Sequence, residues 1–502
     1  MKLNEMANLL TIARTSGNME TEISGFAMNS KQVRPGDLFI CIPGIPGLQE
    51  DRHPYAEEAV RAGAAALIVE REVGLAAPTI QVPDARYAMA VMTAHFYGYP
   101  SSELKVIGVT GTNGKTTTSH MIEAVLAYAG YRTGLMGNIG TKIGEVQHET
   151  DINTPESYKL QANLRKMADH QTDYCVMEAT SQGLDMGRAI GCEFRTAVFT
   201  NLTLDHLDYH GTMERYREAK GLLFSRMGNS FSPDPSKRKY AVLNIDDPAS
   251  DYFRKQTTAQ VVTYGIHGEA DVTASNVRLT ARGTEFELRS YTGTIQVQLQ
   301  MVGKFNVYNA LATAASCLVE GVPLEVIGEG LARIQGVAGR MEVVDEGQPF
   351  LVLADYAHTP DSLDNCLSTV REFAERRVIT VFGCGGDRDR SKRPLMGGLA
   401  ARYSDYIIVT SDNPRKEKPS AIMQDIEQGL KEAGIEASRY ELIEDRKQAI
   451  GRAVELAGAG DIVLIAGKGH ETYQIFKDGT VHFDDREEAR LAIRRKKDET
   501  PR

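Results

Sequence analysis

The chain has 502 residues, 42% of them hydrophobic and 25% charged. At about 150 residues per domain that length suggests roughly three domains, and the composition excludes the disordered and fibrous classes. A surplus of 67 acidic over 57 basic residues gives a net charge of -10, which argues against nonspecific binding to nucleic acid or to a membrane surface, so an anionic ligand has to be held locally. Cys41, Cys175, Cys192, Cys317, Cys366 and Cys384 follow no paired spacing, as expected of reduced thiols rather than a disulfide framework or a zinc ribbon. The start, Met1-Lys2-Leu3-Asn4-Glu5, lacks a basic region followed by an apolar core. No run of about 18 apolar residues occurs either, and a cytoplasmic location is expected.

Two short apolar runs, 37–42 and 64–69, flank an amphipathic stretch at 55–62 and predict a small α/β unit over residues 1–100. At 106–110 an apolar strand leads into a glycine-rich turn and then a helical run at 117–129 closed by Gly130. Further strands at 174–177, 196–200 and 241–244, with helical segments between them, predict a mainly parallel sheet. Residues 261–302 alternate as antiparallel strands do, and a helix is predicted over 307–319. A glycine-containing connection at 336–340 separates this second unit, 101–335, from a third, 336–502. There the strands 350–354, 378–382, 406–410 and 462–466 alternate with helices in a Rossmann-like pattern. The charged end from Arg494 reads as a solvated tail.

Between the strand at 106–110 and its helix lies Gly111-Thr112-Asn113-Gly114-Lys115-Thr116, a loop whose amides and helix N-terminus can hold phosphate oxygens. Lys115 would contact the terminal phosphates and Thr116 a magnesium ion. The loop is a variant, since the strict spacing puts glycine where Val109 stands. Glu178, at the carboxyl end of the next strand, can reach a metal beside the loop, or else it is a solvated strand end. Lys220 on a helical stretch reads, by spacing alone, as a solvated charge. The cluster Asp205, His206, Asp208 and His210 would suit a metallohydrolase, although that reading leaves the phosphate loop unexplained.

The loop, the stretch Asn201-Leu202-Thr203-Leu204-Asp205-His206-Leu207-Asp208-Tyr209-His210-Gly211 and the segments Asn306-Val307-Tyr308-Asn309-Ala310, Gly339-Arg340-Met341-Glu342 and Asp355-Tyr356-Ala357-His358-Thr359-Pro360 together resemble the Mur ligase family of ATP-dependent amide-forming enzymes. The resemblance covers nearly the whole chain and implies three domains that bind, in order, a uridine nucleotide, ATP and an incoming amino acid. It implies an enzyme that joins meso-diaminopimelate to UDP-N-acetylmuramoyl-alanyl-glutamate through an acyl phosphate in peptidoglycan synthesis. ATP and Mg2+ would be used, both partners would be small molecules, and the chain is expected to be a monomer.

For the site, the resemblance implies ATP contacts from Gly111, Thr112, Asn113, Gly114, Lys115, Thr116, Thr117, Asn306, Asn309, Arg340 and Asp355, the asparagines facing adenine. Metal would be held by Thr116, Glu178, His206 and a carbamylated Lys220, with Lys115, Lys220, His206 and Arg340 forming the catalytic set. Ser30, Asn153, Thr154, Thr180 and Arg188 would hold the UDP substrate. Asp412-Asn413-Pro414-Arg415 would read the amino acid together with Arg388, Gly467 and Glu471. Arginine in fourth place goes with diaminopimelate, whose distal carboxylate a guanidinium can bind bidentately and which lysine lacks.

The chain departs from the family pattern on the UDP side. Asn153-Thr154-Pro155 replaces two threonines and a proline, Thr180-Ser181-Gln182 replaces Ser-Ser-His, Asn29-Ser30-Lys31 replaces Asp-Ser-Arg, and Glu50-Asp51-Arg52-His53 replaces Asp-Gly-His. A paralogue acting on another carrier and a nucleotide-binding module that ligates nothing therefore stand as alternatives.

Overall fold

The computed structural model describes residues 1–45, 49–150, 152–229, 231–280 and 283–499. Three large sheets follow one another along these residues, and a two-stranded antiparallel hairpin, Tyr473–Phe476 with Gly479–His482, lies near the end. The first has five strands and a core that includes Leu38, Ile40, Ile68, Ile80 and Met89. Its strands Asp37–Ile40 and Ala66–Val69 lie within the predicted runs, and helix Ala56–Arg61 lies between them. Strand Thr79–Gln81 pairs parallel to Ala66–Val69 and antiparallel to Arg14–Ser16.

The central sheet has eleven strands. Strand Lys105–Thr110 lies between Phe194–Phe199 and Tyr174–Glu178, parallel to both. All three are buried along their whole length apart from Lys105, and for that reason they read as continuous apolar runs rather than alternating ones. Helix Lys115–Tyr128 starts two residues earlier than predicted, directly from the phosphate loop. The alternating region is antiparallel only in part. Val272–Thr280, Gly283–Ser290 and Gly293–Leu299 form an antiparallel meander, but Gln260–Gly265 pairs parallel to Tyr240–Asn244 and to Val272–Thr280, extending the parallel sheet.

The third sheet has six strands, with Leu351–Asp355, Ile462–Ala466, Val378–Phe382, Tyr406–Val409 and Tyr440–Leu442 parallel in that spatial order and Glu342–Val343 antiparallel at its edge. Arg446, fully buried, holds Asp485 with two 2.7 Å hydrogen bonds and so fixes helix Asp485–Glu499 on this unit. The region after Arg494 is therefore part of a docked helix and not a free tail, with Arg494 paired to Glu346 at 2.9 Å. Among the described residues no helix is long and apolar enough to cross a membrane.

Candidate active site

The phosphate loop is held from below. Gly111 has φ +152°, and a Cβ there would stand 1.9 Å from Thr200 Oγ1 and 3.1 Å from the main chain of Asn201, so the close approach of the two segments requires glycine. Gly114, at φ +83°, precedes the helix, and a Cβ on it would meet Asn309 Oδ1 at 2.6 Å. Asn309 also accepts from Thr118 Oγ1 at 3.1 Å and donates to Asn306 Oδ1 at 3.0 Å, while Asn306 donates to the Val302 carbonyl at 2.8 Å. Both asparagines are thus buried supports of the loop. They do not line the cavity above it.

That cavity, about 260 Å³, is lined by Thr112 to Thr117, Asn138, Asn153, Glu178, Asp205, His206, Arg340, Tyr356, His358, Thr359 and Ser362. It gathers residues carried by the central and the third sheet. Lys115 Nζ donates to the carbonyls of Gly111 at 3.0 Å and Thr112 at 2.8 Å. Burial pushes this ammonium below the usual lysine range, against the pull of Glu178 and Asp205. Glu178 is buried and is no solvated strand end: its Oε1 accepts from Thr116 Oγ1 at 2.9 Å and from the Asn138 amide at 2.8 Å. Arg340 Nη2 reaches Thr116 Oγ1 at 3.2 Å, and its guanidinium lies 5.0 Å from the centre of the Tyr356 ring.

Lys220 is also buried. Its Nζ donates to the Gly111 carbonyl at 2.7 Å and lies 4.3 Å from the centre of the Tyr216 ring. Burial first, and then the neighbouring Lys115, hold it well below the ordinary lysine range. The solvated-helix reading of this residue fails. His206, at φ +54°, takes its backbone amide to Asp205 Oδ1 at 2.8 Å. Its ring titrates below an ordinary histidine, chiefly through desolvation and with Asp205 opposing. His210 bonds Ser181 at 3.0 Å, and among the described residues no group of three His, Cys, Asp or Glu side chains is arranged to hold a metal, which removes the metallohydrolase pattern.

A second cavity of about 230 Å³ adjoins the first, sharing Lys115, Asn153 and His206 and adding Thr154, Thr180, Gln182, Arg188 and Lys220. A third, about 420 Å³, opens toward the first sheet and is lined by Asn29, Gln49, Arg52, Glu156, Gln182 and Arg188 among others. Arg188 joins the two, held by Glu156 at 3.0 Å, which also binds Arg86 at 2.9 Å. Ser30 is buried and donates to Glu58 at 3.0 Å, outside both cavities.

On the third sheet, Arg415 sits at φ +53° and Arg388 beside it. A Cβ on Gly385 would stand 2.9 Å from Arg415 Nη1 and 3.7 Å from Arg388 Cγ, so both side chains pass beside Gly385, the Arg388 guanidinium donating to the Asp387 carbonyl at 3.2 Å. Arg415 Nη1 donates to the Gly386 carbonyl at 2.8 Å, and a Cβ on Gly386 would meet the Pro414 carbonyl oxygen at 1.9 Å. Asp412, Asn413 and Glu471 converge on Lys468, a buried ammonium absent from the expected set, at 3.4, 3.0 and 3.3 Å. Gly467, at φ +123°, takes its amide to the Asp355 carbonyl at 3.0 Å. Asp355 is itself buried, its carboxyl raised by burial and accepting from the Met341 amide at 2.7 Å. It does not line the phosphate cavity.

Sequence reasoning also missed Tyr216, Asn138, Asn201, Tyr356 and Asp361. Asn201, Tyr356 and Asp361 lie in or directly after a quoted motif, whereas nothing marked Tyr216 as the ring beneath Lys220.

The family description for the Mur ligase middle domain matches residues 109–317, and that for the Mur ligase glutamate ligase domain matches residues 339–469. The chain belongs to the Mur ligase family. It is 50% identical over 478 residues to UDP-N-acetylmuramoyl-L-alanyl-D-glutamate--2,6-diaminopimelate ligase of Geobacillus thermodenitrificans, covering 95% of this chain and 96% of that one. The protein of the same name from Halalkalibacterium halodurans is 51% identical, with 94% and 95% covered. A solved structure of a protein of that name shares 34% identity and a TM-score of 0.69 over 99% of both chains. MurF from Thermotoga maritima, solved with ADP, is 21% identical with a TM-score of 0.64 and shares the Mur ligase fold. The two matched Mur ligase regions meet at the phosphate cavity, where Lys115 belongs to the first and Arg340 to the second.

Proposed function

We propose that this chain is an ATP-dependent ligase that adds meso-2,6-diaminopimelate to UDP-N-acetylmuramoyl-L-alanyl-D-glutamate in peptidoglycan synthesis. The observation that carries the reading is the single cleft in which the phosphate loop, Glu178, Lys220 and the cavity of Arg188 adjoin, with Arg340 entering from the unit that bears Arg388 and Arg415. On this reading residues 1–100 hold the uridine nucleotide, 101–335 the ATP and 336–502 the amino acid. The protein works as a cytoplasmic monomer, in keeping with six free cysteines, five of them buried.

The terminal carboxylate of the UDP substrate attacks the γ-phosphorus of ATP, so that ADP leaves and an acyl phosphate forms. The amine of diaminopimelate then attacks the acyl carbon, phosphate departs and the amine loses a proton. The chain's task is mainly placement and neutralisation of charge. Loop amides and the helix N-terminus at Lys115 receive phosphate oxygens, and Lys115 and Arg340 offset the charge that builds on the transferred group. Thr154, Thr180 and Arg188 orient the acceptor. Arg415 and Arg388 take the distal carboxylate, while Glu471 faces the ammonium beside it.

The oxygen donors at the loop suit magnesium. Thr116 and Glu178 offer a hydroxyl and a carboxylate 2.9 Å apart, both hard ligands. Lys220 as an ammonium cannot ligate a cation and fits only as the carbamate, which a buried amine of depressed pKa is suited to form. With His206 it would hold a second ion. Bound magnesium would neutralise phosphate charge. The deciding experiment incubates the protein with ATP, magnesium, the UDP-muramyl-dipeptide and a panel of amino acids and identifies the product by mass. A product containing diaminopimelate is expected. Nucleotide turnover indifferent to both co-substrates would overturn the reading, and a product made only with another carrier would shift it to the paralogue marked by Asn153 and Gln182.

A further inference from the structure

Helix Pro360–Phe373 opens on a capping box: the Ser362 amide donates to Thr359 Oγ1 at 3.2 Å, and the Thr359 amide donates to Ser362 Oγ at 3.0 Å. An aspartate in a first turn ordinarily serves its own helix. Here the cap is complete without Asp361, and its carboxylate turns to the central unit instead. Asp361 Oδ2 accepts from Asn113 Nδ2 at 2.6 Å and from Thr203 Oγ1 at 2.9 Å, with Asn365 Nδ2 of its own helix at 3.3 Å. Hydrogen bonds to an ionised acceptor are about twice as strong as neutral ones.

Both donors are themselves fixed. The Asn113 amide donates to Asn201 Oδ1 at 2.9 Å, and its carbonyl accepts from Thr200 Oγ1 at 2.6 Å. The Thr203 amide donates to Thr112 Oγ1 at 3.0 Å; that oxygen lies 3.1 Å from the Tyr216 hydroxyl, whose ring faces Lys220. A carboxylate of the third unit is thereby joined to the phosphate loop and, through Thr203, Thr112 and Tyr216, to the buried lysine. Thr359 and Ser362 line the phosphate cavity, but Asp361 does not.

We propose that Asp361 is a positioning residue that latches the C-terminal unit onto Asn113 and Thr203, setting the amino-acid pocket at the distance at which its amine meets the acyl phosphate. This rests on the function proposed above. The test uses the full-length chain carrying Asp361→Ala, Thr203→Val or both, assayed for ligation with ATP, magnesium, UDP-muramyl-dipeptide and diaminopimelate. Melting temperature and small-angle X-ray scattering are read in parallel, with and without substrates. Asp361→Ala should lower kcat at least about tenfold, since it removes the charge-assisted hydrogen bonds to both Asn113 and Thr203. The KM for ATP should stay within about twofold and the melting temperature unchanged, while the scattering shifts to a more extended particle. The double variant should be less impaired than the product of the two single effects, since both remove one shared contact. A raised KM for ATP at unchanged kcat would overturn the latch by making Asp361 a nucleotide contact. Fully multiplicative losses, or unchanged kcat and scattering, would overturn it as well. If the unsubstituted protein ligates nothing, the functional reading falls by itself, and the scattering comparison still decides the latch.

Discussion

The ammonium groups of Lys115 and Lys220 converge on one acceptor, the carbonyl oxygen of Gly111, at 3.0 and 2.7 Å. Burial pushes both amines below the ordinary lysine range, and at Lys220 the like charge of Lys115 on the same oxygen disfavours protonation further. Converting Lys220 to a carbamate would replace that repulsion by an attraction.

Lys220→Ala should therefore lower ligation by at least about a hundredfold, the loss typical of removing one charge-stabilising group from a site. Added formate or acetate should restore part of the rate by occupying the gap as a small carboxylate. Steady-state rates with and without the anion check this, and a fully active Lys220→Ala protein would return the residue to a structural role.

Gly137→Ala offers a test of Glu178 that leaves the carboxylate itself in place. An added Cβ would stand 2.5 Å from Glu178 Oε1, and that buried side chain has little room to retreat. The variant should fold, since one methyl group at a strand end is a local insult, but it should need much more magnesium to reach half its maximal rate. A magnesium titration of ATP-dependent ligation gives the answer, and an unshifted curve would separate Glu178 from metal binding.

Arg415→Ala should raise the KM for diaminopimelate far more than that for ATP. Truncating one partner of a desolvated ion pair costs about 2 to 5 kcal/mol, or roughly thirtyfold and upward in affinity. Lysine should be a poor substrate of the unsubstituted chain because it leaves both arginines without a carboxylate. Competition between the two amino acids measures the preference directly.

His470 gives a pH signature. Its imidazole is pushed down to about 4 by burial and by the Arg340 and Arg486 cations, and among the described residues its Nδ1 has no hydrogen-bond partner. Below pH 6.5 the unfolded ring takes up a proton that the folded ring refuses until about pH 4, so stability is full above pH 6.5 and drains away as the pH falls between those values. The loss amounts to at most about 3 kcal/mol. Comparing His470→Gln with the unsubstituted chain by thermal melts at pH 7 and pH 4.5 isolates it: the variant should lose less stability on acidification.

Much of this was legible in the sequence because the parallel strands are buried on both faces. Runs such as 378–382 and 462–466 coincide with their strands, Val378–Phe382 and Ile462–Ala466. The edges were less legible: Gln260–Gly265 begins the region read as antiparallel, yet its last four residues are all buried and it pairs parallel to its neighbours, as a buried parallel strand does. At the site, Lys115 and Thr116 could be read from a contiguous motif. Lys220 could not, since a lysine on a helix carries no local sign that a loop more than a hundred residues earlier will cover it. Asn306 and Asn309 illustrate the converse. Their spacing marks them as a pair on one helical face, yet it does not distinguish a ligand-facing pair from one that props up a loop.

The meeting of Gly339 with Gly469 has a mechanical consequence. A Cβ on Gly339 would stand 2.1 Å from the His470 amide nitrogen, and one on Gly469 would stand 2.7 Å from Tyr356 Cβ, so three stretches of main chain bear directly on one another with no side chain between them. Such a joint has no play. Segment 467–471, which carries Lys468 and Glu471, cannot be displaced without carrying the backbone beside Arg340 along with it. A displacement of that segment therefore shifts, in the same movement, the main chain that carries the Arg340 guanidinium into the cavity over the glycine-rich loop.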